Sequence, residues 1–241
     1  ITAKWTINQY TITFDTDGGS GIDPITADYG TAITAPEAPT KEGYTFVGWE
    51  PALPTTMPAG NLELKAKWEV KQYTLTWVVD GQETKVTYNF GEEITPLVAP
   101  EKTGYTFTGW DREIPTTMPA EDVTITATWT INKYTITFNT DGGSSIAPIT
   151  VDYGAAIIAP ADPTKEGYTF VGWEPELPAT MPAGNLELKA KWKINQYTIT
   201  FNTEGGSEVA SITQDYGTAI IAPEAPTREG YTFVGWEPEL P

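Results

Sequence analysis

Oxygen-bearing side chains stand at alternate positions beside a glycine in three places: Asp15 and Asp17 before Gly18, Asn139 and Asp141 before Gly142, and Asn202 and Glu204 before Gly205. Ligands so spaced at a tight turn are what a calcium loop offers. The twelve-residue EF-hand spacing and its terminal glutamate are missing around all three. The matching stretch at Asp80-Gly81 keeps a single acid, so the turn forms without the cluster. Turn chemistry accounts for the pattern: glycine permits positive φ, and Asp bonds its own backbone. No metal ligand is assigned.

Catalysis finds no footing in the remaining polar residues. The chain has no histidine, so a Ser-His-Asp arrangement cannot be built, and no G-x-S-x-G elbow occurs. Acid catalysis needs paired, partly buried carboxylates. Here Asp15 and Asp17 belong to a glycine turn, while Glu50, Glu174 and Glu237 each follow a tryptophan into a Pro-rich loop. No catalytic or cofactor-binding residue is assigned, and the chain reads as no enzyme. Trp49 with Glu50 and Pro51 could stack on a sugar ring, repeated for avidity. A small module would instead spend that tryptophan on packing, and an exposed row of Trp49, Trp173 and Trp236 would favour the sugar. The lysines read as facing outward.

The elements that must position these residues repeat. Trp49, Trp110, Trp173 and Trp236 lie 61, 63 and 63 residues apart, and Tyr10, Tyr73, Tyr134 and Tyr197 lie 63, 61 and 63 apart. Such a period means an array of small units, not one enzyme-sized domain. With no cysteine among 241 residues, no disulfide can staple units that are near the lower size limit for a core. Dense aromatic packing must serve instead, and 9 Trp, 12 Tyr and 8 Phe supply it. A net charge of −18 argues against nucleic-acid or anionic-membrane partners, which need basic patches. No run approaches the roughly 20 apolar residues that span a bilayer, so no membrane insertion is expected, and any targeting segment would lie outside these residues.

Within the first copy, Tyr10, Ile12 and Phe14 alternate with threonine, the period of a half-buried strand. Ile22, Ile25 and Tyr29 are expected to return the chain towards the core. Pro36 and Pro39 leave room for at most a turn of helix between Thr31 and Glu42. The run Gly43 to Trp49 predicts a short central or covered strand, with Tyr44 and Phe46 on one side and Val47 and Trp49 on the other. Met57 is expected to plug the core. In the last strand Leu62, Leu64, Ala66 and Trp68 face inward while Glu63, Lys65 and Lys67 face water. The four residues Glu69 to Gln72 then join one copy to the next, with Val70 as apolar anchor, and Ile7, Ile131 and Ile194 take its place in the other connectors. Being β-prone rather than Gly- or Ser-rich, they predict restricted orientations between adjacent repeats. Units about 25 to 30 Å across would make a rod on the order of 100 Å.

The run from Tyr10 to Gly19, then Asp28-Tyr29-Gly30, Pro39 to Trp49, Met57-Pro58-Ala59 and Ala66-Lys67-Trp68, resembles the Listeria-Bacteroides repeat, the internalin B-type repeat. It recurs along the whole chain. The second copy departs where Trp77-Val78-Val79-Asp80-Gly81 replaces the longer turn and Pro96-Leu97-Val98 alters the crossing. The resemblance implies a mostly β fold, a tandem array of small β-grasp-like modules with a reduced helical crossing. It implies bacterial secreted, cell-surface or cell-wall proteins, and it brings no catalytic motif.

The expected organisation is therefore residues 1–9 as the last strand of a preceding repeat plus connector, then modules at 10–69, 70–130, 131–193 and 194–241, the last truncated before its final strand. The functional expectation is a non-enzymatic spacer or stalk, with an adhesive module that binds a host protein or glycan directly as the alternative. The partners expected are adjacent repeats and, because Ile1 to Trp5 matches the strand that repeat four lacks, head-to-tail strand exchange between molecules. That exchange would be abandoned if Ile1 to Trp5 paired within its own first module.

Overall fold

The computed structural model describes residues 1–240; Pro241, the last residue of the expected fourth module, lies outside them. Among the described residues there are strands, turns and loops and no helix. The chain is an all-β tandem repeat of small sheets, as the alternation of apolar and threonine residues dictates.

Two compact units divide the chain. The first comprises residues 1–101 and 107–130. Its first sheet contains β1 (Gln9–Asp15), β2 (Ile25–Asp28), β3 (Tyr44–Glu50) and β4 (Leu62–Val70) in the order β2-β1-β4-β3. β1 and β4 form the parallel central pair, with Ile12 opposite Leu62 and Phe14 opposite Leu64. β2 and β3 flank them in antiparallel pairing. Burial is concentrated on one face, where Ile12, Met57 and Leu64 are sealed from water. Met57 reaches that core from a Pro-rich loop pinned across the sheet: its N–H donates to the Thr31 carbonyl at 2.8 Å and its carbonyl accepts from Gly30 N–H at 2.9 Å.

The second sheet holds β5 (Gln72–Val79), β6 (Gln82–Asn89), β7 (Tyr105–Trp110) and β8 (Val123–Ile131), in the corresponding order β6-β5-β8-β7. Here the two-residue turn Asp80-Gly81, with φ of 51° and 77°, closes a continuous hairpin in which Val79 faces Gln82. Positive φ at both positions matches the twist of the strands it joins. The departure of the second copy thus lengthens its outer strand to eight residues against four in β2.

The second unit comprises residues 102–106 and 131–241. Its larger sheet contains β9 (Lys133–Asn139), β10 (Ile149–Asp152), β11 (Tyr168–Glu174) and β12 (Leu186–Ile194). It repeats the first sheet around Ile136, Met181 and Leu188. Beyond it, β13 (Gln196–Ile199) pairs with β14 (Ile212–Asp215) alone among the described residues.

Two expectations need correction. β3 is an edge strand, paired among the described residues to β4 alone. A bulge between Phe46 and Gly48 shifts its register, turning Trp49 to the same side as Phe46, with ring centroids 5.1 Å apart, and leaving Val47 exposed. Tyr29 does not return to the core but is 54% exposed. The four-residue connector is almost wholly strand, as its β-prone residues lead one to expect: Lys71 alone separates β4 from β5, and Asn195 alone separates β12 from β13.

Candidate functional site

The acidic turn is occupied by its own chain. Asp15 Oδ1 accepts the Asp17 N–H at 3.0 Å, which holds Asp17 at φ 50°. The Lys41 ammonium then donates to the Asp17 carbonyl at 2.7 Å and stands 3.5 Å from Asp17 Oδ2. A lysine supplies the positive charge that a calcium loop would take from solution. Asn139, Asp141 and Lys165 repeat the arrangement at 3.1 and 2.7 Å.

Lys41 is accordingly not an outward lysine. Its side chain is 24% exposed, and its Nζ lies 4.7 Å from the Tyr44 ring centroid and 5.6 Å from that of Trp68. The Trp68 indole in turn donates through Nε1 to the Thr16 carbonyl at 3.1 Å and packs edge-on against Phe46 at 5.6 Å. So close is the indole to Gly19 that a Cβ there would sit 2.6 Å from Cζ2. Turn, lysine and last strand thus form one interlocked socket. Trp192 occupies the same socket beneath Gly143, Thr140, Lys165 and Phe170.

Trp49 is half-buried and its ring lies 5.0 Å from Phe14. Trp173 and Trp236 meet Phe138 and Phe201 at 5.1 and 4.8 Å. These three indoles are packing residues, so the exposed row that a sugar platform requires is replaced by aromatic pairs.

The contact that sequence reasoning overlooked joins adjacent sheets. Within the first unit the Phe90 ring lies directly on Gly43, where a Cβ would come within 2.1 Å of it. The Lys71 N–H donates to the Gly43 carbonyl at 2.8 Å, and the Lys71 carbonyl accepts from Phe90 N–H at 2.9 Å. Within the second unit Tyr216 covers Gly167 in the same way, with Asn195 bonded to Gly167 and Tyr216 at 2.9 Å each. Tyr153 covers Gly104, also within that unit. A hydrogen bond to the Glu166 carboxylate, reinforced by its charge, holds the Tyr216 hydroxyl above its ordinary pKa of 10.0. The missed signal was an aromatic before glycine in every copy: Tyr29-Gly30, Phe90-Gly91, Tyr153-Gly154 and Tyr216-Gly217.

The pattern described as the Listeria-Bacteroides repeat domain matches residues 10–67, 73–130, 134–191 and 197–239. A protein of Evansella cellulosilytica described as a Gly-rich membrane protein is 35% identical over 97% of this chain and 30% of its own length. A second membrane protein of that organism is 34% identical over 98% of the chain and 40% of itself. Internalin H of Listeria monocytogenes is 42% identical over 51% of the chain and 25% of itself. The chain therefore spans well under half the length of these relatives. Among solved structures, domains 3-4 of the Streptococcal High Identity Repeats in Tandem of a cell surface protein cover 52% of this chain and 98% of theirs, at 20% identity and a TM-score of 0.24.

Proposed function

The chain belongs to the Listeria-Bacteroides repeat family, and from that membership we propose that its modules, framed as 10–69, 70–130, 131–193 and 194–241, serve as a stiffened spacer that carries a functional head away from a bacterial surface. The family's repeat is a non-catalytic structural module of surface and secreted bacterial proteins. Within that class, spacing is favoured by one observation: the Phe90 ring seated on Gly43 above a single connecting residue.

A hinge needs residues free to change φ and ψ, which Gly- and Ser-rich linkers provide. Lys71 is instead bonded through both its N–H and its carbonyl, to Gly43 and Phe90. Bending there would break two backbone bonds and lift an aromatic ring from its seat. A net charge of −18 keeps neighbouring arrays apart. Where an adhesive module would offer a ligand its aromatic rings, this chain uses Trp49, Trp173 and Trp236 internally.

The folded chain, immobilised and challenged with panels of host glycans and extracellular proteins, is expected to show no saturable binding. Saturable binding to one of them, abolished by unfolding the chain, would establish the adhesive reading in its place.

A further inference from the structure

The outer edges of the first and third modules are blunted in two ways. β2 and β10 are four residues long, while β3 and β11 are bulged, between Phe46 and Gly48 and between Phe170 and Gly172. Short or bulged edges discourage a further strand from joining a sheet. β6 in the second module has neither guard. It is the outer strand of its sheet and eight residues long, and it pairs in unbroken register with β5, from Gln82 opposite Val79 to Asn89 opposite Gln72. It contains no proline or glycine, and Gln82 to Thr87 are all exposed. The tight turn Asp80-Gly81, where the second copy departs from the others, is what lengthens this edge.

Hydrogen bonds at the end of β6 show which backbone groups its edge offers. The Phe90 N–H donates to the Lys71 carbonyl at 2.9 Å, whereas the Asn89 N–H turns the other way, to Glu92 Oε2 at 2.8 Å. Alternation along an antiparallel pair then directs Gln82, Thr84, Val86 and Tyr88 towards β5, and Glu83, Lys85 and Thr87 outward. Glu83 and Lys85, two residues apart, share one face of the sheet. Lys85 Nζ lies 3.0 Å from Glu83 Oε2, and both side chains are exposed. Their neighbours on β5, Val78 and Thr76, carry no charge. We propose that β6 pairs antiparallel with β6 of a second copy of this chain, about a two-fold axis that passes through Thr84 normal to the sheet.

Charge sets the register. An axis at Glu83 or at Lys85 would place like charges directly opposite each other, which destabilises a strand pair. At Val86 neither charge would meet the other. At Thr84 the Glu83 of each copy lies opposite the Lys85 of the other, so every charge has an opposite one beside it on its own strand and another across the pair. These are also the residues whose backbone groups point outward. The Glu83 N–H donates to the carbonyl of the opposing lysine, and that lysine's N–H donates to the Glu83 carbonyl, once on each side of the axis. The hairpin tip ends at Asp80-Gly81, so it projects no further than the end of the opposing β6. Copies of net charge −18 repel one another, but Gln82 to Asn89 holds one Glu and one Lys and is locally neutral. An interface of one strand pair is small, so association is weak and grows with concentration. Because the same patch serves both copies, the contact closes at the dimer.

Sedimentation equilibrium of the full chain over a range of concentrations tests this. The unchanged chain is expected to pass from monomer to dimer and to stop there. Lys85→Glu makes the facing charges all acidic and Glu83→Lys makes them all basic, so each variant alone is expected to stay monomeric where the unchanged chain is dimeric. Mixed in equal amounts, the two are expected to dimerise, an acidic strand against a basic one. Glu83→Pro removes an outward N–H at the kind of edge position where proline is tolerated, and it is expected to stay monomeric. Should that variant fail to fold, the two charge variants, altered only at exposed side chains, still decide the matter. A chain that stays monomeric throughout, species larger than a dimer, dimers that persist in Lys85→Glu alone, or a mixture that stays monomeric would each overturn the proposal.

Discussion

The Phe90 ring rests on the backbone of Gly43, so close that a methyl group on Gly43 would fall 2.1 Å from Cδ1 and Cγ. Two modules are thereby joined through a position where only hydrogen fits.

Gly43→Ala should therefore cost more than backbone strain. Gly30 is the control, since both residues have positive φ, 74° and 81°, and only Gly43 has a neighbour within 4 Å. Gly30→Ala is expected to destabilise by about 1–2 kcal/mol from left-handed φ alone. Gly43→Ala adds the clash, and chemical unfolding should show the larger loss there. Equal losses would mean that Phe90 yields without cost.

Two tryptophans in the same Ala-Lys-Trp context offer a cleaner comparison. Trp68 is half-buried in its socket and hydrogen-bonded to Thr16, whereas Trp5 is 91% exposed. Trp68→Ala should cost about 3–5 kcal/mol in its module. Trp5→Ala should change stability by less than about 0.5 kcal/mol. A loss below roughly 1 kcal/mol for Trp68→Ala would remove the socket from the account of stability.

Lys41 and Lys65 both approach Asp17, at 3.5 and 3.9 Å, but their side chains are 24% and 61% exposed. Replacing each by methionine keeps the stem and removes the charge. Lys41→Met forfeits the cation–π contacts and the bond to the Asp17 carbonyl, a loss of about 1–2 kcal/mol. Lys65→Met should cost under about 0.5 kcal/mol. Denaturant midpoints of the two variants would show the difference.

Alkaline pH should loosen the junction of the third and fourth modules. The folded Tyr216 pKa is raised, by the hydrogen bond to Glu166 and then by its charge. The contact is therefore fully present below the ordinary tyrosine pKa and is lost as pH rises through the higher folded value. Phe90 carries no hydroxyl, so the junction in the first unit is unaffected by this route. Ultraviolet titration should show a tyrosine ionising above the ordinary value of 10.0, and Glu166→Ala should lower it. A titration unchanged by Glu166→Ala would remove that link.

Much of this was legible in the residues because alternation states which face is buried. Leu62, Leu64, Ala66 and Trp68 read as an inward set and are one, and Met57, read as a core plug, is 1% exposed. The edge position of β3 was not legible. A bulge at Phe46/Gly48 shifts the alternation by one residue, and a strict period of two then puts Trp49 on the wrong side. Lys41 was misread for a different reason: its surroundings come from Asp17, Tyr44 and Trp68, brought together by pairing across the sheet. Tyr29 was drawn inward because an aromatic in a small module usually is. Its counterparts Phe90 and Tyr216 pack instead on a neighbouring module.

The stiffness of a junction is open to direct measurement, because a chain without cysteine takes spin labels only where cysteines are introduced. Labels at the exposed Thr13 in β1 and Thr84 in β6 report the geometry of the first two modules by pulsed dipolar spectroscopy on the full chain. The account predicts a single narrow distance distribution that broadens in Phe90→Ala. A broad distribution in the otherwise unchanged chain, no narrower than in Phe90→Ala, would contradict it.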